Sequence, residues 1–479
     1  MMPDTTVRSD LQSAIALHQS GQLKEAATIY KQVLDTDPAN GDALHLLGLV
    51  SHQSGQSTTA IALIKRALVV SPDHPDFLRN LANILRESGK FEEAIQVCRR
   101  IIELQPRSAE GYYELGVNFQ IAGQLQQAAL AYQKSIDIYP DDSKVHVYLA
   151  AVLLKLKKFG KAIDACQKAI QISSENFLAY NILGNIYKKQ GKLEEAIQAY
   201  RQVLSIQPKL AETYSNLGDV FRESNRFDEA IQVYLQAIEI KPNIAQVHAS
   251  IGFVFYQKLV ELDDVLDGSN TQNDNSEFHG KVSDSLKVTS YLEKVIQYYQ
   301  QALEINPVYS ADVCNNLGVA YAKMKRFEEA IQQYNKAIGI DAQYDEAYSN
   351  LGQALHEQKR LEEAISVYQK AIDIGPECTQ YHRGYGDSLL LTGNWKQGWK
   401  EYEWRWKNDK FLARNERIFP HLTWDGSSLD NTSILVWLEQ GAGDQIMFAS
   451  LLPKLQQQAE QTFVEIEYRL YPIFRRSFH

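Results

Sequence analysis

The chain has 479 residues, a net charge of −10, and 44% apolar against 23% charged residues. That is the composition of a folded protein with room for two or three domains or one long repeat array. The acidic balance excludes a dedicated nucleic-acid binder, which carries a basic surplus on its binding face. Four cysteines (Cys98, Cys166, Cys314, Cys378) without a Cys-x-x-Cys pair point to neither a disulfide framework nor a zinc site. The opening MMPDTTVRSD lacks the apolar core of a signal peptide, and no apolar run reaches membrane-spanning length. A cytoplasmic protein without membrane insertion is expected.

From residue 7 to 243 the chain is periodic. Pro38, Pro72, Pro106, Pro140, Pro208 and Pro242 stand in register at a spacing of 34, with Ser174 filling the gap. Ala26, Ala60, Ala94, Ala128, Ala162, Ala196 and Ala230 keep the same beat, as do small residues eight positions into each repeat: Gly48, Ala82, Gly116, Ala150, Gly184 and Gly218. Within residues 211–243, Tyr214, Leu217, Gly218 and Phe221 mark one face of a helix, and Ala230, Tyr234 and Ala237 mark a second. The stretch ESNR is the turn between them, and Pro242 stops the second helix. Each hairpin leaves an apolar face that only the next hairpin can bury, so the repeats stack into a solenoid.

Length, small-residue positions, aromatics and proline together resemble the tetratricopeptide repeat (TPR) family. The resemblance implies an all-α, right-handed superhelical solenoid of about ten to eleven helix-turn-helix repeats. Seven regular repeats occupy 7–243. An eighth, 244–309, is split: Gly252 begins it, but Tyr299, Ala302 and Pro307 arrive 31 residues late. The insertion, about 261–290, is polar and acidic and reads as a disordered surface loop. Asp263, Asp267 and Gly268 sit at three positions of a calcium-loop pattern, but Val265 and the missing terminal Glu favour a solvated loop. Repeats nine and ten come next over 310–378, and a degenerate capping repeat over 379–410.

At position six of their first helices stand Asn80, Asn216, Asn316 and Asn350. An asparagine amide donates and accepts at once, so a row of them can hold an extended peptide backbone without reading its sequence. The pattern resembles the asparagine ladder of protein O-GlcNAc transferases. Glu114, Tyr148, Ile182 and Ser250 interrupt it, so two shorter patches are expected. The alternative is that these amides bond only within the protein. His146, His248 and His382 recur at position four and His18, His52 and His356 at position twelve, and Cys98 and Cys166 replace the aromatic at position twenty-four. Such regular placement reads as packing or a solvated face, with no metal or cofactor.

The composition then changes: residues 392–411 hold four of the six tryptophans. Trp395, Trp399, Tyr402 and Trp406 fall on one stripe of a helix, expected to cap the solenoid and dock the C-terminal segment, or else to stack on carbohydrate. In 420–479 we expect a strand (433–438), a glycine turn (439–443), a helix (444–458) and a strand (463–468), an incomplete Rossmann-like β-α-β piece. Gly441 and Gly443 would bring the backbone close to a ligand.

The strings GWKEYEWRW, TWDGSSL and LEQGAGDQIMF resemble bacterial TPR proteins that end in a heptosyltransferase-like glycosyltransferase domain of two Rossmann-like halves. That resemblance implies a general base at Asp444; a simple helix cap there is the other reading. The domain is expected to be truncated, with its nucleotide-sugar half absent, so a nucleotide sugar would be a partner only of a complete form. The functional expectation is therefore a scaffold for a protein or peptide partner. A glycosyltransferase is the alternative, and this chain leans away from being an enzyme.

Overall fold

The computed structural model of the chain describes residues 4–269, 278–407, 428–430, 432–437, 451–466 and 468–477. It forms two compact bodies, Met1–Tyr309 and Ser310–His479. The first contains eight helix pairs: α1 (Asp4–Gln19) with α2 (Leu23–Thr36), α3 (Gly41–Gln53) with α4 (Ser57–Val70), α5 (Pro75–Glu87) with α6 (Phe91–Leu104), and α7 (Ala109–Ile121) with α8 (Leu125–Ile138). Next come α9 (Ser143–Lys155) with α10 (Phe159–Ile172), α11 (Phe177–Lys189) with α12 (Leu193–Ile206), α13 (Ala211–Glu223) with α14 (Phe227–Ile240), and α15 (Ala245–Ser269) with α16 (Phe278–Ile305). The second body adds α17 (Ala311–Lys323) with α18 (Phe327–Ile340), α19 (Asp345–Glu357) with α20 (Leu361–Ile374), and α21 (Thr379–Leu391) with α22 (Trp395–Tyr402). Within each body consecutive hairpins pack on one another as a helical solenoid.

Local chemistry sets the helix ends. Asn40, Ser108, Asp142, Asn176 and Ser310 accept hydrogen bonds from first-turn N–H groups of the helices they precede. Second helices instead place acids in the first turn, such as Glu194 with Glu195 and Asp228 with Glu229, against the positive end of the helix dipole. Between the two helices, position fifteen turns left-handed in ten of the eleven repeats. Glycine takes it in six, and Lys157, Asn225, Lys325 and Lys359 adopt φ between 56 and 61°. The next N–H reaches back five residues, as in Gln56 to Ser51 O and Arg226 to Phe221 O, both 2.8 Å. A side chain in that conformation costs about 1–2 kcal/mol that glycine does not.

The eighth repeat departs from this. Its position fifteen is Leu259, fully buried, and the helix does not turn there. In place of the expected loop over 261–290, α15 runs on to Ser269 and α16 starts at Phe278. Phe255 packs against Tyr291 (centroids 6.0 Å apart) at the base of this lengthened pair. An apolar residue that needs burial has replaced one that favours a turn, and the hairpin grows instead of closing.

In the first ten hairpins the core is a contact between positions eight and twenty-four; in the eleventh Gly386 meets the backbone of Tyr402 and Gly398. A Cβ built on Gly218 would stand 2.5 Å from the Tyr234 ring, and on Gly116 or Gly184 it would stand 2.6 Å from Tyr132 or Tyr200. Where position eight is alanine, at Ala82 and Ala150, position twenty-four is Cys98 and Cys166, all nearly or fully buried. Glycine faces a ring and alanine faces a small thiol, so the summed volume is conserved. Two repeats depart from this: Ala14 stands opposite Tyr30 in the first, and Gly48 meets Ile64 instead of a ring in the second.

After α22 comes a 3-10 helix, Glu403–Lys407. The α-helix stops because the Arg405 guanidinium takes the Tyr402 carbonyl (3.1 Å) and lies over the Tyr402 ring (4.5 Å). The single α-helical stripe expected to reach Trp406 therefore ends at Tyr402. Beyond it, β1 (Ser433–Trp437), α23 (Leu452–Gln458), β2 (Gln461–Glu465), a 3-10 turn (Tyr468–Leu470) and α24 (Tyr471–Ser477) are described. The two strands pair in parallel, Ser433 opposite Gln461 through Trp437 opposite Glu465. Leu452, Leu470 and Phe474 are buried together, with Val436, Leu455 and Val464 against them. The described residues contain two strands, which falls short of a Rossmann-like sheet.

The contact between positions eight and twenty-four makes a specific prediction. Gly218→Ala should destabilise the first body by about 1–3 kcal/mol in urea unfolding, because the methyl meets the Tyr234 ring. Adding Tyr234→Cys to that variant should recover part of the loss, recreating the Ala82–Cys98 pairing; strictly additive losses would disprove the complementarity.

Candidate functional site

Within each body the first helices of neighbouring repeats touch, as α9 does α11 and α19 does α21, while the second helices stand farther apart. The first helices therefore line the inner side of the curve. Tyrosine hydroxyls from position twenty-four emerge on them: Tyr200 donates to Asn185 Oδ1 at 2.8 Å and Tyr234 to Asp219 Oδ1 at 2.7 Å. Burial raises the pKa of both hydroxyls, so they remain neutral donors. Lys188 completes this patch, 3.1 Å from Asp219 and 3.4 Å from Glu223.

The four asparagines at position six divide into two kinds. The Asn80 amide donates to His45 Nε2 at 2.8 Å, and the Asn350 amide to Asn315 Oδ1 at 3.0 Å. Both bonds run from position six to position five of the preceding repeat. They leave each carbonyl oxygen free to accept. His45, buried beside His74, has its pKa lowered to about 4, mainly by burial, so Nε2 stays an acceptor at neutral pH. Asn216 and Asn316 are half-buried, and their amides have no hydrogen bond within the described protein. Beside Asn216, at position five of the preceding repeat, Asn181 holds a buried Oδ1 without a partner.

The interruptions of the row are filled by other chemistry. Glu114 pairs with Arg86 from the preceding repeat. Tyr148 meets Tyr113 edge-on at 5.5 Å, with Lys144 lying 4.7 Å from the Tyr113 ring. Ile182 is buried.

The histidines are joints. At position four, His146, His248 and His382 each donate Nε2–H to a proline carbonyl six residues back, Pro140, Pro242 and Pro376, at 2.8–2.9 Å. At position twelve, His52 reaches Glu87 (2.8 Å) and His356 reaches Ser388 (2.9 Å) in the next repeat. Among the described residues no three His, Cys, Asp or Glu side chains converge as metal ligands. Burial pushes the Cys98 and Cys166 thiols up to about 12, which makes them inert as nucleophiles.

Of the expected docking residues, Trp395 and Trp399 stand 61% and 45% exposed. Tyr402 is half-buried; the Trp406 side chain lies outside the described residues. The anchor of this junction is one the sequence pattern did not single out: Trp404 stacks on His382 at 3.7 Å with planes 2° apart, while His382 Nδ1 meets Glu401 at 2.6 Å. Gly441, Gly443 and Asp444 lie outside the described residues. Among those described, no helix is long and apolar enough to cross a membrane.

Three tetratricopeptide-repeat families match this chain, at residues 17–68, at 53–109, and at 143–209, 175–243 and 315–377, together more than half of it. Protein FlbA of Caulobacter vibrioides is 34% identical over 93 residues, which is 19% of this chain and only 15% of FlbA. Among solved structures, MamA is 25% identical (TM-score 0.33; 34% of this chain, 95% of MamA). YrrB, a TPR protein with an unusual peptide-binding site, is 22% identical (TM-score 0.33; 37% of this chain, 92% of YrrB). The helix pairs, their left-handed turns and their glycine–tyrosine contacts agree with the family match: the chain belongs to the tetratricopeptide repeat proteins.

Proposed function

We propose that this chain is a cytoplasmic interaction scaffold that holds an extended peptide segment of a partner protein along its first-helix face. The observation that carries the reading is the state of the position-six amides. Asn216 and Asn316 offer a free donor and acceptor each, and Asn80 and Asn350 keep a free carbonyl after donating. Such groups match the alternating N–H and C=O of an extended backbone. Each body offers such a face: the repeats of 7–243 and 244–309 supply it in the first, and those of 310–378, capped by 379–410, in the second.

Two classes of variant separate binding from architecture. Asn216→Ala with Asn316→Ala should weaken capture of a fluorescent pool of unstructured peptides about tenfold, a loss of roughly 1.4 kcal/mol, with the unfolding midpoint unchanged. Asn80→Ala should also cost about 1–2 kcal/mol of stability, because it leaves the buried His45 Nε2 without a donor. Undiminished capture by the double variant would dismiss the amide row as the basis of binding.

A second reading is the start of a heptosyltransferase-like domain in 420–479, with Asp444 as its base. The in-register parallel pair β1 and β2 favours it, although the family match stops short of that segment. Titration calorimetry of the chain with nucleotide-sugar donors decides the matter. No heat of binding is expected from the scaffold reading, and saturable binding would replace it with the transferase.

A further inference from the structure

The outer side of the solenoid carries a groove of about 590 Å³ between α8 and α10, floored by Leu149 and Leu153 of α9 and by Leu156 just after it. Its origin is a single missing side chain. Position twenty-one of the repeat is isoleucine in eight repeats, including Ile95 and Ile163 on either side. There it packs onto the first helix of the next repeat, as Ile95 does in the cluster holding Leu115 and Phe119. The first repeat, at the end of the array, has Ala27 there; in the fourth, inside it, the residue is Ala129, and the floor of α9 is left with open space above it.

Two further features distinguish this groove. Leu130, next to the gap, is 69% exposed, where the repeats on either side carry Gln96 and Asp164. The α10 rim presents Lys158, Lys161 and Lys168, all exposed. The Lys158 and Lys161 side chains have no ion pair or hydrogen bond among the described residues, and the Lys168 ammonium bonds only Gln171 (3.1 Å). Asp164 is the one carboxylate on that rim. A net-positive edge therefore borders an apolar slot in a chain whose net charge is −10.

We infer that the groove between α8 and α10 is a second binding site, on the side opposite the amide row, for a short acidic amphipathic helix of a partner protein. The helix places a branched aliphatic side chain in the space over Ala129, beside Leu130, and sets its carboxylates against Lys158, Lys161 and Lys168. Apolar anchors supply the burial, and the lysines select charge and orientation.

The test uses the full chain and two synthetic fluorescein-labelled helical peptides, leucine-faced, one flanked by glutamates and one by lysines. The glutamate peptide should bind and the lysine peptide should not. Ala129→Ile fills the slot with the residue that eight other repeats carry, so the unfolding midpoint should hold or rise while affinity falls about tenfold or more. Lys161→Glu with Lys168→Glu should reverse the preference between the two peptides. The Asn216→Ala, Asn316→Ala variant should bind the glutamate peptide as well as the parent does, which keeps this site separate from the inner face. Four results would each overturn the inference: no binding of the glutamate peptide, equal binding of both peptides, unchanged affinity in Ala129→Ile, or capture of anionic phospholipid vesicles in place of the peptide.

Discussion

The hairpins of this protein, the terminal eleventh apart, depend on one close approach, the backbone of position eight against the side chain at position twenty-four. The ring of Tyr234 lies where a methyl on Gly218 would be, so the two helices can be this near only because one residue has no side chain. The pairing is a volume rule more than a residue rule. Ala82 and Ala150 are accommodated because Cys98 and Cys166 are small. The same approach sends the tyrosine hydroxyls of repeats six and seven through to Asn185 and Asp219 on the inner side. Core packing and surface chemistry are thereby joined in one residue.

The two faces of the array result from this spacing. First helices crowd together, so their side chains bond from repeat to repeat: Asn80 to His45, Asn350 to Asn315, Lys188 to Asp219. Second helices stand apart, and the gaps between them are filled one branched side chain at a time. A repeat array of this kind tolerates local change because each repeat touches only its neighbours. Replacing one isoleucine by Ala129 opens a single gap and leaves the adjoining hairpins intact.

Much of the fold was legible in the sequence because the period of 34 repeats the same physical problem many times. Glycine and proline positions, helix faces and the place of the insertion all derive from that period. The form of the insertion did not, because its polar composition outweighed the one apolar residue, Leu259, that stops the turn. The site was harder to read. The four asparagines look alike in sequence, but two are tied to position five of the repeat before, a partner 35 residues away. The His-to-proline joints at 146, 248 and 382 could have been found from the constant offset of six residues. The exposed Trp395 and Trp399 and the stack of half-buried Trp404 on His382 could not, since the three tryptophans differ only in where they fall relative to the end of α22.

The conserved volume at position twenty-four has a consequence for how the array opens. Cys98 and Cys166 are fully buried, and each thiol holds its proton up to about pH 12, whereas Cys378 is partly exposed. A thiol-reactive label added to the native protein meets Cys378 directly but reaches Cys98, Cys166 and the equally buried Cys314 only when the third, fifth or ninth hairpin parts from its neighbours. The chain therefore carries three internal clocks, in the third, fifth and ninth repeats, and their labelling rates report whether the hairpins breathe one at a time or open as a block.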